Sequence, residues 1–458
     1  MRPARQSASR MRFLPLVAAT YFMVAGGPYG IEDILGAGFR SAILILLLLP
    51  LLWSLPTALM IGELASAIPD DGGFYVWVRR ALGPFWGYQE SWLSLAASIF
   101  DMAIYPALFV LYLGKFAPAL TAGPAAYAWS VAVVVLCCVW NLRGAPSVGR
   151  DSIWLFVLLL APFVVFVVLG FTRGLALHPH IQWTSSGGGF APGSAFSTAV
   201  LVGLWNYMGW DNASTVAGEV ENPQRSYPRA MILSIILVAV SYVLPLAAMA
   251  LAGLSPASFA TGDWADAASA LGGPLLGMAV IAGGCITGIG MFNALVMSYT
   301  RLPMAMAQDG LLPRLLARRN RRGVPFVSVL FCGLAWALAL KLPFERLISI
   351  DLILYGTSLL LEFAALAVLR FREPALPRPF RVGSLPVACL LGVAPAALIA
   401  YSLYAARDEK IIGNTSAALF AAGVALLGPI LYAISIAVPQ LRRPAAVPAE
   451  ESLPAADD

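Results

Sequence analysis

Long apolar segments, separated by short polar ones, follow one another along almost the whole chain. A run of about 18 or more apolar residues is typical of a helix that crosses a bilayer. The pattern predicts twelve such spans, at 13–39, 41–66, 84–113, 125–141, 151–172, 194–218, 229–253, 274–301, 325–341, 345–370, 384–406 and 413–438. The polar segments between them are too short for a soluble domain, so the function is expected to lie within the spans.

Composition and charge agree with this pattern. Hydrophobic residues make up 60% of the chain and charged residues 12%, whereas soluble domains have about half and a quarter. Most of the 29 lysines and arginines fall on the side of the N-terminus, and such an excess marks the cytoplasmic side. The sequence therefore predicts a multi-pass protein of the cell membrane with both termini in the cytoplasm. The isoelectric point of about 9.0 then reflects orientation and does not indicate nucleic-acid binding.

The cysteines, the histidines and the two terminal segments do not indicate a catalytic or metal-binding site. The cysteines lie in apolar spans without C-x-x-C spacing, and both histidines, His178 and His180, share one polar segment. This predicts neither disulfides, nor a metal site, nor a cofactor. Residues 1–12 are predicted to be a cytoplasmic N-terminal segment that stays in the mature protein. Residues 439–458 are predicted to be a disordered, acidic cytoplasmic tail.

Two of the predicted spans contain helix-breaking residues. Residues 25–38 of the first span read AGGPYGIEDILGAG, in which glycines and a proline precede Glu32 and Asp33. Residues 204–215 of the sixth span read LWNYMGWDNAST, in which Met208 and Gly209 precede Asp211. The two interruptions are five spans apart, so their segments cross the membrane in opposite directions, as an inverted repeat of five helices requires.

Paired interruptions of this kind indicate a binding site. They are the best sequence indication of a transporter site near the bilayer midplane. Unwound peptide groups in hydrocarbon cost several kcal/mol each unless protein or a water-filled cavity satisfies them. Two breaks therefore predict a cavity between them. The alternative is a pair of kinks, at Pro28 and Gly209, packed against neighbouring helices.

Several motifs resemble those of one superfamily. ELASAIPDDGGFYVWVRRALGPFWGY (63–88) and AGEVENPQRSYPRA (217–230) resemble loops of the amino acid–polyamine–organocation transporters. GGPYGIED, FDMAIYP (100–106), WDNASTVAGEVENP and LLEFAA (360–365) resemble the branch that comprises polyamine-uptake and L-type amino acid transporter-like proteins. The resemblance implies an all-α, multi-pass LeuT-like fold. Residues 13–172 and 194–370 would form two inverted five-helix repeats with broken helices 1 and 6, and 384–438 two accessory helices.

The resemblance also implies a secondary active transporter, and members of this branch carry polyamines, amino acids or both. In amino acid carriers of this fold, bare half-helix N-termini receive the substrate carboxylate. Here acids follow both breaks, so a carboxylate would be repelled and an ammonium attracted. This favours import of a polyamine of the putrescine or spermidine class. The pocket is assigned to Asp33 ahead of Glu32, and the alternative for these acids is pairing with the helix dipole.

Two further spans carry polar residues at helical spacing. In the third span, Glu90, Asp101 and Tyr105 share a face with two serines. Separated carboxylates on one line suit a long molecule with several amines, and the alternative is a packing stripe. In the tenth span Glu362 lies deep on a similar face, where it is expected to bind an amine or carry a coupling proton. The alternative partner for Glu362 is Arg370, reaching back along the helix.

The predicted site collects residues of these four spans, including the aromatic side chains beside the breaks. The predicted substrate-binding residues are Gly26, Gly27, Tyr29, Gly30, Glu32, Asp33, Asp101, Tyr105, Trp205, Tyr207, Trp210, Asp211 and Glu362. Glu63, Glu90 and Glu219 are predicted to serve gating or coupling.

The driving ion and the substrate leave alternatives open. A proton could be carried by Glu32, Asp101 or Glu362, while sodium coupling and exchange remain open. The alternative substrate is a cationic or large neutral amino acid, carried by a transporter or exchanger of the same fold. Neither a membrane enzyme nor a channel is favoured, because the sequence has no H-E-x-x-H or G-x-S-x-G motif and no filter pattern. The sequence does not predict an oligomeric state.

Overall fold

The computed structural model describes residues 10–177, 189–257, 259–341, 347–412 and 414–438. Almost all of them are helical. The α-helices are α1 (Phe13–Val24), α2 (Gly38–Leu49), α3 (Leu55–Ala67), α4 (Phe74–Leu82), α5 (Pro84–Phe116), α6 (Pro124–Asn141), α7 (Ala145–Leu177), α8 (Ala195–Asn206), α9 (Pro223–Leu251), α10 (Trp264–Gly272), α11 (Pro274–Tyr299), α12 (Arg301–Gln308), α13 (Phe326–Ala339), α14 (Leu347–Arg372), α15 (Leu385–Leu390), α16 (Val393–Ala405) and α17 (Ala417–Ala437). Both histidines, the predicted tail and most of the predicted N-terminal segment lie outside the described residues.

Shorter elements connect these helices. The 3-10 helices are Glu32–Ala37, Pro118–Thr121, Trp210–Thr215, Ala217–Glu219 and Arg314–Ala317, and a π-helical turn, Pro50–Ser54, joins α2 to α3. Strands β1 (Lys410–Ile412) and β2 (Thr415–Ser416) form an antiparallel hairpin in which Lys410 lies opposite Ser416.

Nine helices within the described ranges are long and apolar enough to cross a membrane, and α1 and α13 are shorter apolar helices. This finding does not confirm the predicted count of twelve, because three predicted spans contain shorter helices. Residues 13–39 and 194–218 are interrupted, and residues 325–341 contain only the 14-residue α13. Large apolar side chains such as Val164, Leu338 and Ile430 are exposed on the outside of the bundle. Such a surface suits a lipid environment.

The centre of the molecule is formed by α1, α5, α11 and α14. Helix α5 packs against both α11 and α14, while α1 packs against α7, α9 and α11. The two interrupted segments lie among these helices, and α1 contacts the 3-10 helix Trp210–Thr215 directly.

The first predicted break is confirmed as a break in the helix. Helix α1 ends at Val24, and helical structure resumes only at Glu32. Gly27 and Gly30 have φ angles of +70° and +91°, in a region that disfavours a side chain. The carbonyl of Gly30 accepts a hydrogen bond from Asn206 Nδ2 at 3.0 Å. The protein itself thus satisfies peptide groups that a continuous helix would pair internally.

The second predicted break is also confirmed. Helix α8 ends at Asn206, and Gly209 takes a left-handed conformation with a φ of +90° before the next 3-10 helix begins. A Cβ atom on Gly209 would lie 2.3 Å from the carbonyl oxygen of Met23. Only a glycine therefore lets the second break approach the end of α1, and the two interruptions pack against each other.

Candidate functional site

A cavity lies between the two breaks. Its volume is about 20 Å³, enough for one water molecule. The lining residues come from both broken segments and from α5, α11 and α14: Met23, Val24, Tyr29, Asp101, Tyr105, Leu108, Trp205, Asn206, Met208, Gly209, Asn212, Met291, Tyr299 and Tyr355.

Asp101 is the one charged residue among these lining residues. It lies on α5, is 5% exposed, and accepts a 2.5 Å hydrogen bond from the hydroxyl of Tyr105. The four-residue spacing places both side chains on one face of the helix, as the sequence predicted. A buried carboxylate without a basic neighbour among the lining residues favours a cation in the cavity.

Aromatic rings form much of the remaining wall. Tyr29, Trp205, Tyr299 and Tyr355 line the cavity together with Tyr105. A cation within about 6 Å of such a ring gains about 0.5–2 kcal/mol or more when desolvated. An ammonium in the cavity would thus meet one carboxylate and several ring systems.

The amides at both breaks are already hydrogen bonded. The amide of Gly30 donates to Glu32 Oε2 at 2.6 Å, and the amide of Gly209 donates to the hydroxyl of Tyr355 at 3.0 Å. The same hydroxyl donates to Asp211 Oδ1 at 2.5 Å. A substrate carboxylate would have to displace these internal acceptors.

Glu32 and Asp33 do not line the cavity. Glu32 is fully buried, and its Oε1 atom accepts hydrogen bonds from the Tyr112 hydroxyl at 2.8 Å and from the Gly262 amide at 3.2 Å. Asp33 is exposed and accepts a weak 3.4 Å hydrogen bond from Thr261. The structure thus places Asp33, which the sequence assigned to the pocket ahead of Glu32, outside this cavity and beside the α9–α11 connection.

That connection covers the first break on the side opposite the N-terminus. The indole of Trp264 donates to the carbonyl of Pro28 at 2.7 Å, and its ring packs against Phe163 and Phe166. Lys115, at the end of α5, pairs with Asp266 at 3.0 Å. These contacts hold the α9–α11 connection onto the broken segment, so access from this side requires their release.

On the face that carries the N-terminus, Glu63 is the centre of a buried ionic network. Arg370 donates to both carboxylate oxygens of Glu63, at 2.6 and 2.5 Å, and Arg378 approaches to 3.2 Å. Glu63 and Arg370 are 0% and 5% exposed. The predicted alternative pairing of Arg370 with Glu362 is therefore wrong, because Arg370 turns toward the end of α3.

Glu219 holds a second ionic contact on this face. It pairs with the buried Arg301 at 2.8 Å, and its carbonyl accepts the amide of Met11 at 2.8 Å. Nearby Asp71 pairs with Arg319 at 3.3 Å. Burial, together with the charge of Glu219, raises the pKa of the Asp71 carboxyl. These contacts join the N-terminal segment, the loop after α3 and the loop after α12, which are segments that must separate if the site opens on this side.

Replacing Glu63 by glutamine is expected to destabilise the protein by about 3–5 kcal/mol, because it leaves two buried arginine charges without their carboxylate. Thermal unfolding in detergent micelles measures the effect. The matched control is Glu373→Gln, which removes the half-exposed pair with Arg80 and is expected to cost about 1 kcal/mol or less. Equal shifts for the two variants would contradict the assignment of Glu63 as the centre of the network.

The other predicted site residues divide between the cavity wall and its surroundings. Of the thirteen, Tyr29, Asp101, Tyr105 and Trp205 line the cavity, whereas Gly26, Gly27, Gly30, Glu32, Asp33, Tyr207, Trp210, Asp211 and Glu362 do not. Tyr207 donates to the carbonyl of Leu46 and packs on Tyr242. Trp210 is fully buried, and its indole nitrogen has no partner among the described residues.

Three acidic residues predicted from separate spans lie on or near the face of α14 that carries Tyr355 and Ser358. Asp211 bonds to the Tyr355 hydroxyl, and Glu90 accepts hydrogen bonds from Ser94 and Ser358 at 3.1 and 3.2 Å. Glu362 is fully buried one turn beyond Ser358. Glu90 therefore does not line the cavity that Asp101 lines, although both residues are on α5.

Most of the cavity wall was not among the predicted binding residues. Met208 and Gly209 were predicted as the second break but not as binding residues, and Asn206 and Asn212 flank that break, so their proximity to Asp211 was the available signal. Tyr355 shares the polar face of the tenth span with Glu362. Met23, Val24, Leu108, Met291 and Tyr299 carried no signal, because each lies in an apolar run and reaches the cavity only through tertiary packing.

Among the described residues, no group of three or more His, Cys, Asp or Glu could hold a metal ion.

Comparison with known proteins defines the class. A family model described as amino acid permease matches residues 15–431, so the chain belongs to the amino acid permease family. The crystal structure of MhsT in complex with L-phenylalanine matches with a TM-score of 0.61 at 17% identity, over 87% of this chain and 99% of that one. The fold is therefore LeuT-like, with two inverted five-helix repeats and broken first and sixth helices.

Several relatives are similar over most of the chain. It is 36% identical to polyamine transporter PUT1 of Oryza sativa subsp. japonica, covering 88% of this chain and 75% of that protein. It is 34% identical to polyamine transporter RMV1 of Arabidopsis thaliana, covering 83% and 77%. It is 29% identical to branched-chain amino acid permease BcaP of Lactococcus lactis subsp. cremoris, covering 69% and 71%. The protein is thus a multi-pass membrane transporter, which agrees with the class predicted from its sequence.

Proposed function

We propose that the protein is a proton-coupled secondary active transporter that imports polyamines of the putrescine and spermidine class by alternating access. The proposal rests mainly on Asp101. This buried carboxylate is the one charged group among the residues that line the cavity, and aromatic rings line the cavity with it. Such a site suits a primary ammonium. The relatives named polyamine transporters support the same substrate class.

The hydrogen bonds at the breaks argue against a substrate carboxylate. In amino acid carriers of this fold, the positive ends of the half-helices face that group. Here Glu32 occupies the amide of Gly30, and Tyr355, itself bonded to Asp211, occupies the amide of Gly209. A polyamine carries no carboxylate, so it leaves these internal contacts intact.

A large neutral amino acid is the second candidate. The apolar part of the wall, formed by Met23, Val24, Leu108, Met208 and Met291, suits an aliphatic or aromatic side chain. One relative is named a branched-chain amino acid permease. The carboxylate of an amino acid would have to displace Glu32 from the Gly30 amide or Tyr355 from the Gly209 amide. Competition between amino acids and polyamines for uptake therefore distinguishes the two candidates.

The proposed cycle opens the cavity alternately to each side. A volume of about 20 Å³ is too small for a diamine, so binding requires release of the α9–α11 connection on one side. Release into the cell requires separation of the Glu63 and Glu219 networks on the other. We place this second face in the cytoplasm, together with both termini, because it carries most of the arginines, and we place the protein in the cell membrane.

Uptake of radiolabelled putrescine and spermidine into proteoliposomes tests the proposal. Leucine and arginine serve as competitors, and an inward proton gradient is compared with an inward sodium gradient. We expect saturable polyamine uptake that the proton gradient drives and that amino acids do not inhibit. Leucine or arginine uptake with inert polyamines would overturn the substrate, and uptake that needs sodium would overturn the coupling ion.

A further inference from the structure

The carboxyl group of Glu362 is buried without a partner. Its residue is 0% exposed, and neither Oε1 nor Oε2 has a hydrogen-bond partner among the described residues. An ionised carboxylate in such a place costs many kcal/mol, whereas a protonated one avoids most of this cost. The position therefore favours a bound proton, and it is not part of the cavity wall.

The contacts of its helix face place Glu362 beside two other acids. Tyr355, Ser358 and Glu362 follow at steps of three and four on α14, so they share one face. Ser358 donates to Glu90 Oε1 at 3.2 Å and lies 3.0 Å from the Ser94 hydroxyl. Tyr355 donates to Asp211 at 2.5 Å. The face thus presents Glu362 to α5 and to the second broken helix.

The charged neighbours of Glu362 are acidic. Glu90 of α5 and Asp211 of the second broken helix are the acidic groups that interact electrostatically with the Glu362 carboxyl group. The phenol of Tyr355 lies on the same face of α14. The basic residue nearest along α14, Arg370, is held by Glu63. Helix α4, which packs against α14, carries Arg79 and Arg80, and these pair with Asp309 and Glu373. Helices α15, α16 and α17, which also pack against α14, contain no Asp, Glu, Lys, Arg or His.

We infer that Glu362, flanked by Glu90 and Asp211, is the site that binds and releases the coupling proton. This inference rests on the proposed function and names the residue that carries its coupling ion. In each cycle, one proton from the outside protonates the Glu362 carboxylate, and the same proton leaves to the cytoplasm. A metal ion fits less well, because the hydroxyls of Ser94 and Ser358 both already bond to Glu90, and the described residues contain no cluster of three or more His, Cys, Asp or Glu that could hold one.

Tyr355 connects this site to the substrate cavity. Its ring lines the cavity, while its hydroxyl holds both the Gly209 amide and Asp211. When Glu362 loses its proton, its negative charge is added beside Glu90 and Asp211, and repulsion at low dielectric favours moving them apart. Movement of Asp211 would shift the broken helix that forms one wall of the cavity, which links proton release to opening.

Infrared difference spectroscopy tests the site without any transport. The purified wild-type protein near neutral pH is expected to show the carbonyl band of a buried protonated carboxyl group. Glu362→Gln should lose the component of that band that Glu362 contributes, whereas Glu373→Gln, which changes a half-exposed acid paired with Arg80, should leave the band unchanged. Absence of the band from the wild type, or an unchanged band in Glu362→Gln, would overturn the inference.

Transport by the same variants separates this inference from the proposed function. Glu362→Gln is expected to lose proton-driven accumulation of putrescine while retaining putrescine–putrescine exchange across the membrane, and Glu362→Asp should restore part of the accumulation. If Glu362→Gln still accumulates putrescine as the wild type does, the proton site is wrong and the polyamine transporter stands. If the wild type carries no polyamine but the infrared band loses its Glu362 component as expected, the proton site stands and the substrate is wrong.

Discussion

Replacing Asp101 by asparagine is expected to lower putrescine uptake at least about 100-fold, with the loss appearing mainly in binding. Removing one partner of a buried, hydrogen-bonded charge pair costs about 2–5 kcal/mol, and 100-fold corresponds to about 2.7 kcal/mol. Asparagine keeps the volume of the side chain and can still accept the hydrogen bond of Tyr105. Binding of putrescine to the purified protein and initial uptake rates in proteoliposomes measure the effect.

Two further variants show whether that loss comes from the cavity. Asp408→Asn changes an acid on the surface, with a side chain 75% exposed, and should transport as the wild type does. Asp33→Asn is expected to stay within about threefold of the wild type, since Asp33 is exposed and bonded only weakly to Thr261. A large loss in Asp33→Asn together with a small one in Asp101→Asn would contradict the position of the site.

Replacing Gly209 by alanine is expected to abolish transport. The added Cβ would lie 2.3 Å from the carbonyl oxygen of Met23, and the φ of +90° is unfavourable for any side chain. The left-handed conformation costs about 1–2 kcal/mol for a residue with a Cβ, and the overlap would separate the two breaks that enclose the cavity. Uptake in proteoliposomes, combined with a thermal unfolding curve, measures the change.

The matched control for this variant is Gly423→Ala in α17, where an added Cβ would meet no heavy atom within 4 Å. It should leave uptake unchanged and can stabilise its helix slightly, because alanine favours helix over glycine by about 1 kcal/mol. Normal transport by Gly209→Ala would show that the two breaks need not approach each other as closely as this geometry requires.

The sequence predicted the features that depend on local chemistry. Glycines and a proline cannot continue a helix in the first span, so the break at residues 25–31 followed from residue types alone. The offset of five spans predicted the inverted repeat. The four-residue step between Asp101 and Tyr105 predicted that both share a face of α5, and the structure brings them into contact.

The remaining features depend on contacts between distant parts of the chain. Glu63 and Arg370 are separated by 307 positions, and no spacing rule connects them. The position of Glu32 is decided by Tyr112 and Gly262, which lie on other elements. Which of the neighbouring acids Glu32 and Asp33 points inward depends on the direction of one short 3-10 helix, because successive residues point about 100° apart or more. The sequence alone does not give that direction.

The two ends of the cavity differ in how they are held. On one side the α9–α11 connection is held by hydrogen bonds from Trp264, Gly262 and Thr261 to the first broken segment and by the surface ion pairs of Lys115. On the other side, buried carboxylate–arginine networks at Glu63 and Glu219 join several segments. Surface ion pairs contribute little, whereas breaking buried ones is expensive. Opening on the side that carries the N-terminus therefore breaks buried ion pairs, whereas opening on the other side breaks surface ion pairs and hydrogen bonds.

A structure with putrescine bound, determined by cryo-electron microscopy, would show most directly whether the substrate binds between the two breaks at Asp101. We expect ligand density between the two breaks, with one amine nitrogen about 2.7–3.2 Å from a carboxylate oxygen of Asp101 and beside the rings of Trp205 and Tyr355. We also expect Glu32 to stay bonded to the Gly30 amide. Density away from Asp101, or binding only of leucine with its carboxylate on the amides at residues 26–30, would contradict the proposed site.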